Sequence, residues 1–283
     1  MACKENRPIV AIMYDFDKTL SPRDMQEYAL IPGLKMEPAV FWDKCNQLCQ
    51  KHNMDQILAY MYALLQEARG KMLLTREVFQ ALGESVQLFP GVEDWFARIN
   101  RYGETLGVQV EHYIISSGLK EIIEGTSIAG EFQKIYAAEF CYDDHNVPVW
   151  PAMAVNYTSK TQFLFRINKG VLDVREHNAL NGYTPDDKRR VPFRNMIYVG
   201  DGLTDVPCMK LIKSKGGRSI AVYQSNPASA QDMLRYGRVD YVAPADYRAG
   251  SRIEQVVFAL LEKIRAVNDT ISLHLEDLET LSE

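Results

Sequence analysis

Residues Pro8–Leu20 read PIVAIMYDFDKTL, a short apolar run that stops abruptly at carboxylates. The run is rich in Ile, Val and Met and does not alternate with polar residues. That pattern predicts a strand buried on both faces of a parallel sheet. Asp15 and Asp17 then fall at its C-terminal end, the end at which open α/β sheets bind ligands.

The texture changes from Ser21 onward. Glu37 to Asn53 sets Val40, Phe41, Cys45, Leu48 and Cys49 on one helical stripe, with Pro38 suited to the first turn. Asp55 to Arg69 repeats the pattern, and Gly70 is a helix stop. Thr75 caps a third helix, which Gly83 closes. No strand interrupts this stretch, so an all-helical block is expected after the first strand. Beyond Pro90 strands and helices alternate. A helix over 92–102 precedes a strand over 108–116, and a helix starts at Leu119. A β-hairpin follows, 135–143 and 147–155, turning on Asp144-His145-Asn146. A helix over 158–168, strands over 195–200, 219–223 and 240–243, and a long amphipathic helix from Arg252 complete the chain. Such alternation predicts a parallel sheet with both faces covered.

The 283 residues carry 32 basic and 37 acidic side chains, a formal net charge of −5. That balance gives no support for nucleic-acid binding. No apolar run is long enough to span a bilayer, and the polar start MACKENRP has no signal-peptide core. The five cysteines, Cys3, Cys45, Cys49, Cys141 and Cys208, are odd in number and scattered, which suits a reducing compartment. A cytoplasmic location is expected.

Asp15 and Asp17, Ser116, and Asp201 with Asp205 follow the ends of three different strands and so face one crevice. Four bare acids there would raise one another's pKa values. A divalent cation removes the conflict, and an oxygen-only donor set is that of Mg2+. A site of that kind calls for an anionic substrate, a small phosphorylated metabolite.

DFDKTL (15–20), ISSG (115–118), a lysine at the start of a later helix, and GDGLTD (200–205) resemble, in order, the four motifs of the haloacid dehalogenase-like (HAD) hydrolase superfamily. The resemblance covers roughly residues 6–22 and 88–250, and is greatest to the phosphoserine phosphatase-like branch. It implies an α/β, Rossmann-like three-layer core with a central parallel sheet, formed by residues 1–22 and 88–283. The helical insert, 23–87, matches the family's C1 cap position. The activity implied is Mg-dependent hydrolysis of a small phosphomonoester. Asp15 would be the nucleophile that forms an aspartyl-phosphate, and Asp17 the general acid/base, its backbone carbonyl also binding metal. Thr19 would order the loop. Ser116, with the Ser117 and Gly118 amides at a helix N-terminus, would cradle the phosphoryl oxygens. Lys160 would balance their charge; Lys169, at the far end of the same helix, is its rival. Asp201 and Asp205 would complete the metal site. In the cap, Asp24 would read a substrate ammonium, and Arg69 or Lys71 its carboxylate.

Other readings compete. A phosphotransferase or phosphomutase uses the same intermediate with a different acceptor, and a metal- and phosphate-binding module without turnover needs no catalysis. Cys45, Cys49 and His52 share a helix face, where core packing is the expectation. Lys188-Arg189-Arg190 reads as a solvated loop. The contact made by Lys18 and the oligomeric state stay open.

Overall fold

A computed structural model describes residues 7–281. The first strand, β1 (Ile9–Tyr14), is at the centre of a seven-stranded sheet of order β4-β3-β2-β1-β5-β6-β7. Its partners are β2 (Gln109–Leu119), β3 (Phe132–Tyr142), β4 (Pro148–Met153), β5 (Met196–Gly200), β6 (Arg218–Tyr223) and β7 (Tyr241–Pro244). Every pairing is parallel except the β3–β4 hairpin at one edge. The hairpin turn at 143–146 is that of the sequence reading, with Asn146 at a φ of 59°. Pro148 and Pro151 lie on the edge strand, where missing N–H donors do no harm and discourage further strand pairing.

The unbroken apolar character of β1 has its reason in the two cores. Successive side chains point to opposite faces. Val10, Ile12 and Tyr14 pack against α5 (Val92–Thr105) and the buried first half of α11 (Arg252–Thr280). Ala11 and Met13 pack against α7 (Lys160–Lys169), α9 (Val206–Ser214) and α10 (Ala228–Arg235). The sheet is thus covered on both sides, an α/β, Rossmann-like architecture. Beneath β1 a buried chain of hydrogen bonds runs Trp95 Nε1 to Tyr14 Oη at 2.8 Å, Tyr14 Oη to His112 Nδ1 at 3.1 Å, and His112 Nε2 to Asn100 Oδ1 at 2.9 Å. An indole only donates, so the Tyr14 proton is free to reach His112, whose Nε2–H then faces Asn100.

Between β1 and α5 the described chain is helical: α1 (Leu30–Gly33), α2 (Pro38–His52), α3 (Gln56–Ala68) and α4 (Arg76–Gly83). The caps are those the sequence offers. Asp55 Oδ1 accepts from the Ile57 and Leu58 amides, and Thr75 Oγ1 from the Val78 amide. The block's entry and exit strands meet at a neck, where Phe89 N donates to Leu20 O at 2.9 Å. Its last helix lies hard against the core. A Cβ on Gly83 would come within 2.3 Å of Ile122 O, and one on Gly125 within 1.8 Å of Gln80 O. Only glycines allow α4 and α6 (Lys120–Glu124) to approach so closely.

Three expectations need correction. The backbone stays extended through Leu119, so α6 starts at Lys120 and spans only five residues. Ser117 and Gly118 therefore end a strand and do not open a helix. The basic run is also not a free solvated loop. Arg190 forks onto Glu111 of β2 at 2.5 and 2.8 Å, and Arg189 donates to Asn168 Oδ1 at 2.6 Å. Finally, α8 (His177–Asn181), α9 and α10 form in segments where periodicity marked no helix. Cys45 is buried and Cys49 half-buried, as packing requires, whereas Cys3 lies outside the described residues. No helix among the described residues is long and apolar enough to cross a membrane.

Candidate active site

The C-terminal ends of β1, β2 and β5 converge on one cleft of about 430 Å3, roofed by α2 and α3. Asp15 leaves β1 buried, its Oδ1 accepting from the Phe16 amide at 2.8 Å. Lys160 begins α7 and has no exposed surface. Its Nζ lies 3.0 Å from Asp15 Oδ2 and 2.7 Å from Asp205 Oδ1. Tyr198 of β5 donates to the same Asp205 oxygen at 2.8 Å. Gly200 makes room for this group: a Cβ there would sit 2.4 Å from Asp205 Oδ2. Lys169 is excluded from the site, because it donates to the Leu180 and Gly182 carbonyls at the other end of α7.

Carboxylate oxygens of Asp15, Asp201 and Asp205 all lie within 4.8 Å of one another. Their charges conflict. Burial lifts the Asp15 carboxyl, Lys160 pulls it back and Asp205 lifts it again, leaving it at about 6. Burial, then Asp15 and Asp205, push Asp201 up to about 8. Burial opposes a charge on Lys160, but Asp15 and Asp205 outweigh it and hold the ammonium well above its ordinary pKa. One lysine among three acids leaves negative charge uncompensated. An oxygen-only donor set with that surplus fits a hard divalent cation.

The Asp17 carboxylate is turned away from this trio, so it is not a side-chain ligand there. Its Oδ1 accepts from the Met25 amide at 2.8 Å, and burial, then Asp24 and Asp15, hold its carboxyl well above the usual range. Lys18, in the left-handed region at a φ of 58°, reaches Asp24 Oδ2 at 2.8 Å. Thr19 is fully buried behind the cleft; its hydroxyl is 3.4 Å from Asp201 Oδ1 and its carbonyl accepts from Tyr247 Oη at 2.8 Å. It braces the loop and lies outside the cleft lining. Ser116 and Ser117 line the cleft, and Ser116 Oγ accepts the Gly118 amide at 3.1 Å. The Gly118 amide is thus engaged, and its Cα faces Met25 and Asp17.

Arg69 does not reach the cleft. It ends α3, about 13 Å along the helix from Tyr60, and lines a separate apolar groove with Lys71 and Trp150. Lys71 is paired with Glu67. Tyr60, on the near end of α3, donates to Ser117 O at 2.8 Å and ties the roof to the β2 end. Trp42 and Gln26 are cleft residues that the sequence reading missed, whereas Tyr60 belongs to the group of Tyr and Met residues on α3 from which some roofing of the site is expected. Helical periodicity shows the apolar face of α3, but not which end of the helix covers the acids.

A model of the haloacid dehalogenase-like hydrolase family matches residues 12–210. An uncharacterized protein of Borreliella burgdorferi is 29% identical over 279 residues, covering 88% of this chain and 95% of its own. Among solved structures, a HAD family hydrolase from Salmonella enterica serovar Typhi shares the fold with a TM-score of 0.53 at 18% identity, over 80% of this chain; the match spans 66% of that protein. A probable phosphoserine phosphatase from Vibrio cholerae gives 0.56 at 12% identity, over 93% of this chain and 69% of its own. A substrate-bound phosphoserine phosphatase gives 0.53 at 14% identity, over 83% and 93%. At such identities the structures speak for the fold alone, whereas the family model covers most of the sequence, acids included: the chain belongs to the haloacid dehalogenase-like hydrolases.

Proposed function

We propose that the chain is a Mg2+-dependent phosphatase that hydrolyses a small phosphomonoester through an aspartyl-phosphate on Asp15. The observation that carries this reading is the Lys160 ammonium bridging Asp15 and Asp205, within a trio of carboxylates at the strand ends. Phosphatases among the structural neighbours support it.

Asp15, Asp201 and Asp205, with the Asp17 carbonyl, would hold the cation, which when bound screens the acids and draws charge from the phosphoryl oxygens. Asp15 is held for attack by the Phe16 amide and Lys160. Its oxygen bonds to phosphorus as the ester P–O bond breaks. Burial, then Asp24 and Asp15, raise the Asp17 carboxyl and so favour its protonated form. It gives that proton to the leaving oxygen, then takes one from the water that attacks phosphorus. The Asp15–phosphorus bond breaks in that second step and inorganic phosphate leaves. Ser116 lies beside the nucleophile as a hydrogen-bond donor to the phosphoryl group. Uncatalysed monoester hydrolysis is so slow that enzymes accelerate it by up to about 10²¹-fold, so nucleophile, acid and charge clamp must act together. The carboxylate reader expected at Arg69 has no counterpart in the cleft. The segment 23–87 serves in this reading as the lid that excludes water.

Phosphate release from p-nitrophenyl phosphate, with Mg2+ and with chelator, tests the proposal in wild type and Asp15→Asn. Metal-dependent turnover that Asp15→Asn abolishes is the expected result. Unchanged turnover in Asp15→Asn would sink it.

A further inference from the structure

The leaving-group side of the cleft carries an ion pair of its own. Lys18 Nζ lies 2.8 Å from Asp24 Oδ2, and both residues line the cleft. The two are held in place by their backbones. Lys18 belongs to the tight loop after β1, with a φ of 58° and the Thr19, Leu20 and Ser21 amides turned onto Phe16 O. Asp24 precedes Met25, whose amide donates to Asp17 Oδ1 at 2.8 Å. The pair therefore stands beside the proposed acid/base, where the alcohol of a phosphomonoester must leave.

The other acids of the lining have work elsewhere. Asp15 and Asp201 face the metal position together with Asp205, and Lys160 is committed to Asp15 and Asp205. Asp17 is engaged with the Met25 amide and with proton transfer. Of the acids that line the cleft among the described residues, Asp24 is the one left to bind a cation on the leaving group. The expected partner of Asp24 is a substrate ammonium; the structure puts the chain's own ammonium there instead. A substrate ammonium arriving beside Asp24 would meet the Lys18 charge at close range, or would have to separate an ion pair already formed. Either way it gives up water without an uncommitted carboxylate in return.

We infer that Lys18 is a specificity residue that excludes phosphomonoesters with an ammonium on the leaving alcohol, by holding Asp24 in an internal ion pair. This rests on the phosphatase reading and narrows its substrate class to esters of alcohols that carry no amine. The device works against the wrong substrate rather than for the right one, so uncharged alcohols enter without a dedicated contact.

The test uses an isosteric pair, phosphoethanolamine and n-propyl phosphate, in which an ammonium replaces a methyl group. The ratio of the first kcat/KM to the second is measured with the Mg2+-loaded full-length protein, beside phosphoserine and p-nitrophenyl phosphate. Wild type is expected to prefer the propyl ester severalfold. Lys18→Asn removes the charge and suits the left-handed backbone. It is expected to raise the ratio roughly tenfold, by ending the repulsion from Lys18 and freeing Asp24. With the Lys18 side chain 50% exposed, each of those two effects is worth no more than about fivefold. In the double variant Lys18→Asn/Asp24→Asn the gain should vanish, with circular dichroism confirming both folds. A wild-type ratio of one or more, a preference for phosphoserine over n-propyl phosphate, or no turnover of either alkyl ester overturns the inference, while p-nitrophenyl phosphate turnover leaves the phosphatase reading standing. A ratio that Lys18→Asn does not move overturns the role of Lys18, and a gain that survives in the double variant overturns that of Asp24. No turnover of any ester by wild type overturns both readings.

Discussion

The Lys160 ammonium, wholly out of solvent, lies 3.0 Å from Asp15 Oδ2 while also holding Asp205 at 2.7 Å. A single cation thus joins the residue that follows β1 to one that follows β5. Replacing it removes charge compensation from a buried acid cluster, and breaking such a pair costs about 3–5 kcal/mol. Lys160→Met is expected to lose that order of stability in chelator and to recover part of it in Mg2+. Phosphate release is expected to fall at least about a hundredfold, as when a preorganised charge stabiliser is removed. Urea melts with and without Mg2+, alongside turnover, check both.

Without metal, the acid trio also sets a pH dependence. Asp201 is pushed up to about 8 and Asp15 to about 6, both above the carboxylate range of an unfolded chain. The folded state therefore binds more protons than the unfolded state between about pH 4 and 8. This contribution makes stability fall as pH rises through that window. Asp201→Asn is expected to flatten the slope and to stabilise the metal-free protein above neutrality. Urea midpoints from pH 5 to 8 in chelator measure it; an Asp201→Asn slope equal to wild type would refute the coupling.

How much of this was legible in the sequence differs by residue. Asp15, Asp201 and Asp205 could be found because an apolar strand that ends in a carboxylate marks both the element and its functional end. Lys160 was separable from Lys169 by its place in the helix, since the N-terminal end of α7 is the one that reaches Asp15. Arg69 was misplaced because periodicity shows a helix's face but not which of its ends covers a cleft. Arg190 looked solvated because its partner, Glu111, is 79 residues away. Gln26 carried no signal at all; its place in the cleft lining emerges only from packing.

Gly118 ends the ISSG motif, and a methyl group there has nowhere to go. Its Cβ would lie 2.1 Å from Met25 Cε, 2.8 Å from Met25 Sδ and 3.0 Å from Asp17 Oδ2. The thioether is flexible and can move, but Asp17 is anchored through the Met25 amide. Gly118→Ala should therefore shift the proposed acid/base by a few tenths of an ångström and lower kcat by less than the roughly hundredfold that a displacement of about 1 Å costs. Adding Met25→Ala is expected to restore part of the loss by freeing the space the thioether fills. Steady-state kinetics on p-nitrophenyl phosphate for the two single variants and the double variant decide it. No rescue in the double variant would mean that the clash with Met25 is not the cause.

The chain of hydrogen bonds beneath β1 predicts a pH dependence of opposite sign. Burial pushes His112 down to about 3, so it stays neutral between Tyr14 and Asn100. In the unfolded chain the imidazole takes a proton near pH 6.5, and the unfolded state then binds more protons than the folded one. The contribution of His112 is fully present above that pH. It is lost as pH falls from about 6.5 toward 3, approaching about 1.4 kcal/mol for each pH unit. His112→Gln removes the titrating group, so its stability is expected to change less with pH even if lower overall. Urea unfolding in saturating Mg2+ between pH 7 and 5 isolates the effect, because the acid trio is then screened and the ordinary carboxylates have yet to titrate. Parallel pH slopes for wild type and His112→Gln would mean that His112 is already charged in the folded protein, and that the Tyr14 hydroxyl accepts its proton.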